Sequence, residues 1–173
     1  MRWVLTCSAL CALAVGGTSA GSTQAKPWRT LKNDRVGYSV SYPRGWRIAG
    51  KVVATQFSAA ARCQSVRVVD RATPTEVRQS LVQICWKPVT GDVSLDTYMR
   101  ATYGKRLSGL FTLTRLGGAP AYRSRTAARS KTFFLQTKDY RLQIVTGIVA
   151  GPARRALRLA QVSRIVASFS LMP

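Results

Sequence analysis

Between Val36 and Trp46 the chain reads Val-Gly-Tyr-Ser-Val-Ser-Tyr-Pro-Arg-Gly-Trp, and no other stretch narrows the fold as far. Tyr38, Val40 and Tyr42 alternate with Gly37, Ser39 and Ser41. A period of two puts the large side chains on one face of a strand and the small ones on the other. Pro43 lacks a ladder donor and Gly45 frees the turn behind it, so the strand ends there and Trp46 is carried back toward the same core.

The same alternation recurs downstream. Val52–Ala59, Cys63–Asp70 and Ser80–Lys87 read as strands, with a Pro-containing connection over Arg71–Arg78. After Pro88 and the Thr90-Gly91-Asp92 turn, Ser94 is placed to cap a helix, and Asp96 in its first turn meets the helix dipole. Leu95, Tyr98, Met99 and Thr102 share one face of that helix, which weakens at Gly104. Phe111–Leu116 and Ala119–Thr126 form a hairpin around Gly117-Gly118, and Thr132–Gln136 and Tyr140–Ile148 form another around Lys138-Asp139. Phe133 and Phe134 are adjacent and must face opposite sides of their strand, which suits a sheet covered on both faces. Gly151-Pro152 opens a last helix, with Ala153, Ala156, Leu157, Ala160 and Ile165 expected against the sheet. Ala167–Leu171 closes the chain as a short strand.

The N-terminus has the form of an export signal. Arg2 supplies the positive start, Trp3–Val15 the apolar run, and Thr18-Ser19-Ala20 or Thr23-Gln24-Ala25 the small-residue cleavage site. The run is too short to span a bilayer, which takes about 20 apolar residues. Residues 1–20 are therefore assigned to a signal peptide, with cleavage as late as residue 25, residues 21–35 to a polar lead-in and residues 36–173 to a single domain. Cys7 and Cys11 lie within the apolar run rather than after it, which argues against lipidation. The expected location is the periplasm or the cell exterior, with no transmembrane span after cleavage. Cys63 and Cys85 are then the cysteines of the mature chain. Gln64, Val66 and Val68 form one core-facing set and Val82, Ile84 and Trp86 another, so both cysteines fall on the opposite parity. They would project from the outer face of neighbouring strands and pair as a disulfide worth about 3 kcal/mol in the chain-entropy description.

Taken together, Tyr42-Pro43-Arg44-Gly45-Trp46, the helix opening Ser94-Leu95-Asp96-Thr97-Tyr98, the Gly117-Gly118-Ala119-Pro120-Ala121 hairpin and the closing Ile165-Val166-Ala167-Ser168-Phe169 resemble the Mog1/PsbP-like family over most of Val36–Leu171. The resemblance implies an α+β fold, an α/β/α sandwich in which an antiparallel sheet of about six or seven strands carries helices on its faces. That group shares no catalytic motif. What it implies for function is a non-catalytic binding or assembly module, and no active residue is carried over from it.

Charge is the abnormal property. Lys and Arg number 27 against 6 acids, for a formal net charge of +21, and histidine is absent. The missing imidazole removes the commonest general base and metal ligand, and so few acids argue against paired-carboxylate catalysis. No nucleophile elbow, P-loop, metal-ligand spacing or nucleic-acid motif is present, so no enzyme activity, cofactor or metal is expected. Two basic clusters stand out instead. Arg154, Arg155, Arg158 and Arg164 are expected on the solvent arc of the last helix, with Arg154 and Arg158 repelling each other at i,i+4. Arg123, Arg125, Arg129 and Lys131 form the second cluster, Arg123 and Arg125 sharing one strand face. Such faces suit phosphate or carboxylate, and outside the cytoplasm the expected partner is an anionic envelope surface or an acidic protein rather than nucleic acid. The competing expectation is a small secreted enzyme, or an accessory to one, acting on an acidic polymer. Its mark would be Asp92 and Asp96 converging in a pocket beside basic neighbours.

Overall fold

The computed structural model describes residues 27–53, 57, 61–71, 77–125 and 130–173. The expected signal peptide lies outside them. Among the described residues ten strands form two sheets. The smaller comprises β1 (Trp28–Asn33), β2 (Tyr38–Pro43) and β10 (Ser170–Leu171). The larger has seven strands, β3 (Arg47–Ala49), β4 (Arg62–Arg71), β5 (Val77–Pro88), β6 (Phe111–Leu116), β7 (Ala119–Ser124), β8 (Ser130–Gln136) and β9 (Tyr140–Ile148). Their order across the sheet is β3-β4-β5-β9-β8-β7-β6, and every neighbouring pair is antiparallel.

One face of the large sheet meets α3 (Pro152–Ala167) and the small sheet; the other meets α1 (Leu95–Tyr103) and the short α2 (Leu107–Leu110). The α+β class and the antiparallel sheet with helices on its faces are as expected. The small sheet is an addition: the Tyr-Ser-Val-Ser-Tyr strand does not join the large sheet but packs across it. Tyr38, Val40 and Tyr42 are all buried, and Tyr38 stacks on Phe169 at 5.8 Å and meets Trp86 edge-on at 6.1 Å. The Tyr38 hydroxyl donates to Gln64 Oε1 at 2.7 Å, which ties the sheets together where burial pushes the phenol's pKa up. The polar stretch ahead of β2 is itself a strand, because Trp28–Asn33 finds a complete ladder on the free edge of β2.

Two hydrophobic cores result among the described residues. Val66, Val82, Ile84, Leu135, Leu142 and Ile144 join the small sheet and α3 in the first. Met99, Leu107, Phe111, Tyr122, Phe134 and Cys85 make the second, under α1 and α2. Phe133 and Phe134 are both buried, one in each core. The disulfide forms between Cys63 and Cys85, directly paired residues of β4 and β5. Its face is not an outer one, however: Cys85 is fully buried, because α1, α2 and Phe57 cover that side.

The local signals account for most element ends. Ser94 Oγ accepts from Thr97 N at 3.1 Å and caps α1, and Gly151 precedes Pro152 at the start of α3. Gly117 takes φ +59° in the β6–β7 turn, and a Cβ there would lie 2.9 Å from the Phe169 ring, so the turn and the close approach both require glycine. The β8–β9 hairpin manages without glycine, since Thr137 Oγ1 accepts from Tyr140 N and Thr137 N donates to Tyr140 O. The strand expected over Val52–Ala59 is not formed at Val52, Val53 or Phe57; its other residues, 54–56, 58 and 59, lie outside the described set. Gln83 is the reason at Val52 and Val53: its buried amide accepts from both backbone nitrogens and donates to Val53 O, in place of a strand ladder.

Candidate anion-binding site

The basic cluster of the last helix is not a free cationic face. α3 is turned so that Arg158, Val162 and Ile165 are buried, whereas Leu157 is 53% exposed and Ala153, Ala156 and Ala160 face solvent. Of the five positions expected against the sheet, Ile165 alone is buried there. The cause is Asp70, which continues the core-facing run Val66, Val68 at the end of β4 and is itself buried. A carboxylate taken out of water requires a cation, and Arg158 supplies one bidentately, Nε to Oδ2 at 2.8 Å and Nη2 to Oδ1 at 2.5 Å. Arg154 Nη1 adds a third contact to Oδ1 at 2.7 Å. The expected repulsion between Arg154 and Arg158 is thus offset by an acid from another element. The Arg158 guanidinium, with Arg154 beside it, holds the Asp70 carboxyl below its usual range. Arg164 lies over the Trp28 ring at 4.3 Å, and Arg155 is exposed beside a shallow hollow at Val149 and Ala150. A sequence signal for the buried pair existed: an aspartate on the core parity of a strand.

The second cluster behaves differently. Arg123 projects from β7 toward the α3 side of the sheet, with Thr112 of β6 as its cross-strand neighbour. Arg125 follows the end of β7, where its backbone N donates to Leu110 O at 2.8 Å and its Nε to Phe111 O at 3.3 Å. The strand stops at Ser124, so Arg125 does not continue the alternation it was expected to share with Arg123. Lys131, near the start of β8, is pinned through its backbone to Thr146 Oγ1. The three side chains are exposed and border one depression of about 290 Å³, together with the hydroxyl residues Thr112 and Ser124. Among the described residues none of the three is in an ion pair with a carboxylate. Arg129 lies outside the described residues. Three cations with no counter-charge among the described residues, set around two hydroxyl groups, can receive an anion with several acceptor oxygens.

The acids expected to mark an enzyme do not meet in a pocket. Asp96 is bound on the surface of α1 by Arg100 Nε at 2.6 Å and by the Tyr122 hydroxyl. Arg100 first, and Tyr122 second, lower its pKa. Asp92 is exposed in the loop before α1 and takes no part in that network. Arg141 went unnoticed in the sequence: it is buried in β9, lies over the Tyr98 ring at 4.1 Å and donates to Gln136 Oε1 and Val93 O. These contacts make it part of the packing between β9 and α1. Among the described residues there is no group of three potential metal ligands, and no helix long and apolar enough to cross a membrane.

No protein family matches the chain, and no curated protein matches it. Two solved structures are distantly similar. One, from Bacteroides thetaiotaomicron, has a TM-score of 0.45 at 10% identity over 79% of this chain and 46% of that one. The chain therefore spans less than half the length of that structure. The other is LpqN of Mycobacterium tuberculosis, described as involved in cell envelope biogenesis, with a TM-score of 0.44 at 13% identity over 87% and 88% of the two chains. Neither shows the Mog1/PsbP-like family that the sequence motifs resemble.

Proposed function

We propose that the protein is an exported, non-enzymatic binding module that holds an anionic component of the cell envelope at the β7–β8 depression. One observation carries this reading: Arg123, Arg125 and Lys131 gather around Thr112 and Ser124 with no carboxylate paired to them among the described residues. The contrast with α3 supports it, since two of that helix's arginines are already committed to Asp70. The apolar leader and the Cys63–Cys85 bridge are the grounds for placing the protein outside the cytoplasm.

Retention on a phosphate-bearing resin separates this site from the pull of net charge. The mature protein should bind at low salt and elute as the Debye length falls from about 30 Å at 0.01 M to about 3 Å at 1 M. Arg123→Gln, Arg125→Gln and Lys131→Gln combined should elute at clearly lower salt than a control carrying Arg29→Gln, Arg44→Gln and Arg47→Gln. Those three control residues are also exposed, and the charge removed is the same. Equal elution of the two triple variants would refute the site. Recovery of an envelope component from cell extracts by the wild type and not by the first variant is the matching result with natural ligands.

A further inference from the structure

We infer that the ligand of this face is a phosphate-headed, single-chain lipid: its alkyl chain lies in the groove between α3 and the large sheet, and its phosphate sits on Arg123, Arg125 and Lys131. The inference rests on the reading above and adds what kind of anion the depression takes. A groove of 450 Å³ runs alongside α3, floored by Phe133 and Ile148 and walled by Leu159, Val162 and Val166. Its size falls within the range of small-molecule sites, about 300–1,000 Å³. Leu159 is 46% exposed, so apolar surface that a chain could cover faces the groove.

Arg123 and Lys131 border both this groove and the cationic depression, so the apolar and basic hollows adjoin. The sheet explains the adjacency. Thr112, Arg123 and Lys131 lie on the α3 side of β6, β7 and β8, and Phe133 lies two residues beyond Lys131 on the same face. Along β8 one face thus passes from charge to aromatic floor in a single strand period. The charge at the rim is complementary to an anion, and the floor is complementary to hydrocarbon; an inorganic anion or an acidic peptide would use only the first. A phosphate monoester offers three acceptor oxygens and up to two charges to three cations and two hydroxyl groups, which a single carboxylate does not match.

The test is calorimetric titration of the mature protein with dodecyl phosphate below its micelle concentration, beside inorganic phosphate and dodecanoate. Dodecyl phosphate should bind at least about tenfold more tightly than either. Ser163→Trp, at an exposed groove-lining position, should remove most of the gain from the chain while leaving inorganic phosphate binding unchanged. Leu159→Asp provides a second blockade, and Arg123→Gln with Lys131→Gln should weaken dodecyl phosphate and inorganic phosphate together. Dodecyl phosphate binding no tighter than inorganic phosphate, with both lost in the Arg123/Lys131 variant, would overturn the lipid and leave the anion site standing. Equal affinity for dodecanoate would overturn the phosphate head. Capture of phosphatidylglycerol vesicles unaffected by Ser163→Trp, without titration of the monomeric lipid, would mean attraction to a membrane surface and overturn the groove. Absence of any binding by wild type would remove both readings.

Discussion

Asp70 shows how one side chain can reverse the meaning of its neighbours. It is buried, with Arg158 buried against it and Arg154 reaching in from solvent, its side chain 63% exposed. The two arms are therefore unequal. An exposed pair contributes about 0–1 kcal/mol, whereas removing one partner of a buried pair costs about 3–5 kcal/mol because the other charge is left without compensation. Asp70→Asn should accordingly destabilise the protein by about 3 kcal/mol or more in urea unfolding. Arg154→Gln should cost less than about 1 kcal/mol. Replacing both members, Asp70→Leu with Arg158→Met, should recover much of the loss. The pH dependence has a definite sign. The Arg158 hydrogen bonds hold Asp70 below its ordinary 3.8, so its contribution is complete above that value and is lost as pH falls through the folded-state pKa. The stability gap between wild type and Asp70→Asn should therefore close in acid below about pH 4.

At the scale of elements, β4 and β5 share a continuous ladder from Arg62↔Trp86 to Arg71↔Val77, with the Cys63–Cys85 bridge inside it. The bridge closes a separation of 22 residues, which corresponds to about 3 kcal/mol of chain entropy removed from the unfolded state. Cys63→Ala with Cys85→Ala should lower the denaturation free energy by roughly that amount. Added reductant should lower the midpoint of the wild type and leave the double variant unmoved. The Gly117-Gly118 turn, the Ser94 cap and the Gly151-Pro152 helix start were all legible before the fold was known, because each is a local requirement of backbone conformation. The rotation of α3 was not. Its alanines and Leu157 offered an apolar stripe, but Asp70, 88 residues before its partner Arg158, selected a different face. β1 was missed for a similar reason: Trp-Arg-Thr-Leu-Lys-Asn has little apolar alternation, and its ladder depends on the free edge of β2.

At the scale of the whole molecule the excess of cations sets the behaviour in solution, and its distribution sets where an anion would rest. A formal charge of +21 makes non-specific retention on polyanions at low salt an expectation for any arrangement of these residues. The β7–β8 depression concerns what survives that background. Export is checked independently of binding. Expressed from its full sequence in a host with a general secretion pathway, the protein should be recovered outside the cytoplasm. Mass spectrometry should place the mature N-terminus at Gly21 or, with the later cleavage, at Lys26, and an unprocessed chain in the cytosol would contradict the assignment. The candidate site was half visible. Arg123, Arg125, Arg129 and Lys131 stand out in the sequence as a basic cluster, with Arg123 and Arg125 expected on one strand face. That Arg123, Arg125 and Lys131 share one depression depends on the pairing of β6, β7 and β8, and that Arg154 and Arg158 are spent on a buried acid depends on α3 packing beside Asp70, 84 and 88 residues earlier in the chain.

The order of residues alone settled the things that act over a few positions: where strands alternate, where helices are capped, where the chain turns, and which two cysteines are on matching parities of adjacent strands. Those are properties of backbone sterics and of side chains one or two turns apart. The folded arrangement assigned the rest, namely a second sheet, a covered disulfide, the buried face of α3 and the division of the arginines into neutralised and available ones. Each of these depends on which distant group comes within a few ångströms, and desolvation makes that proximity decisive: the same guanidinium is a solvated surface charge in water and an obligatory partner beside a buried carboxylate.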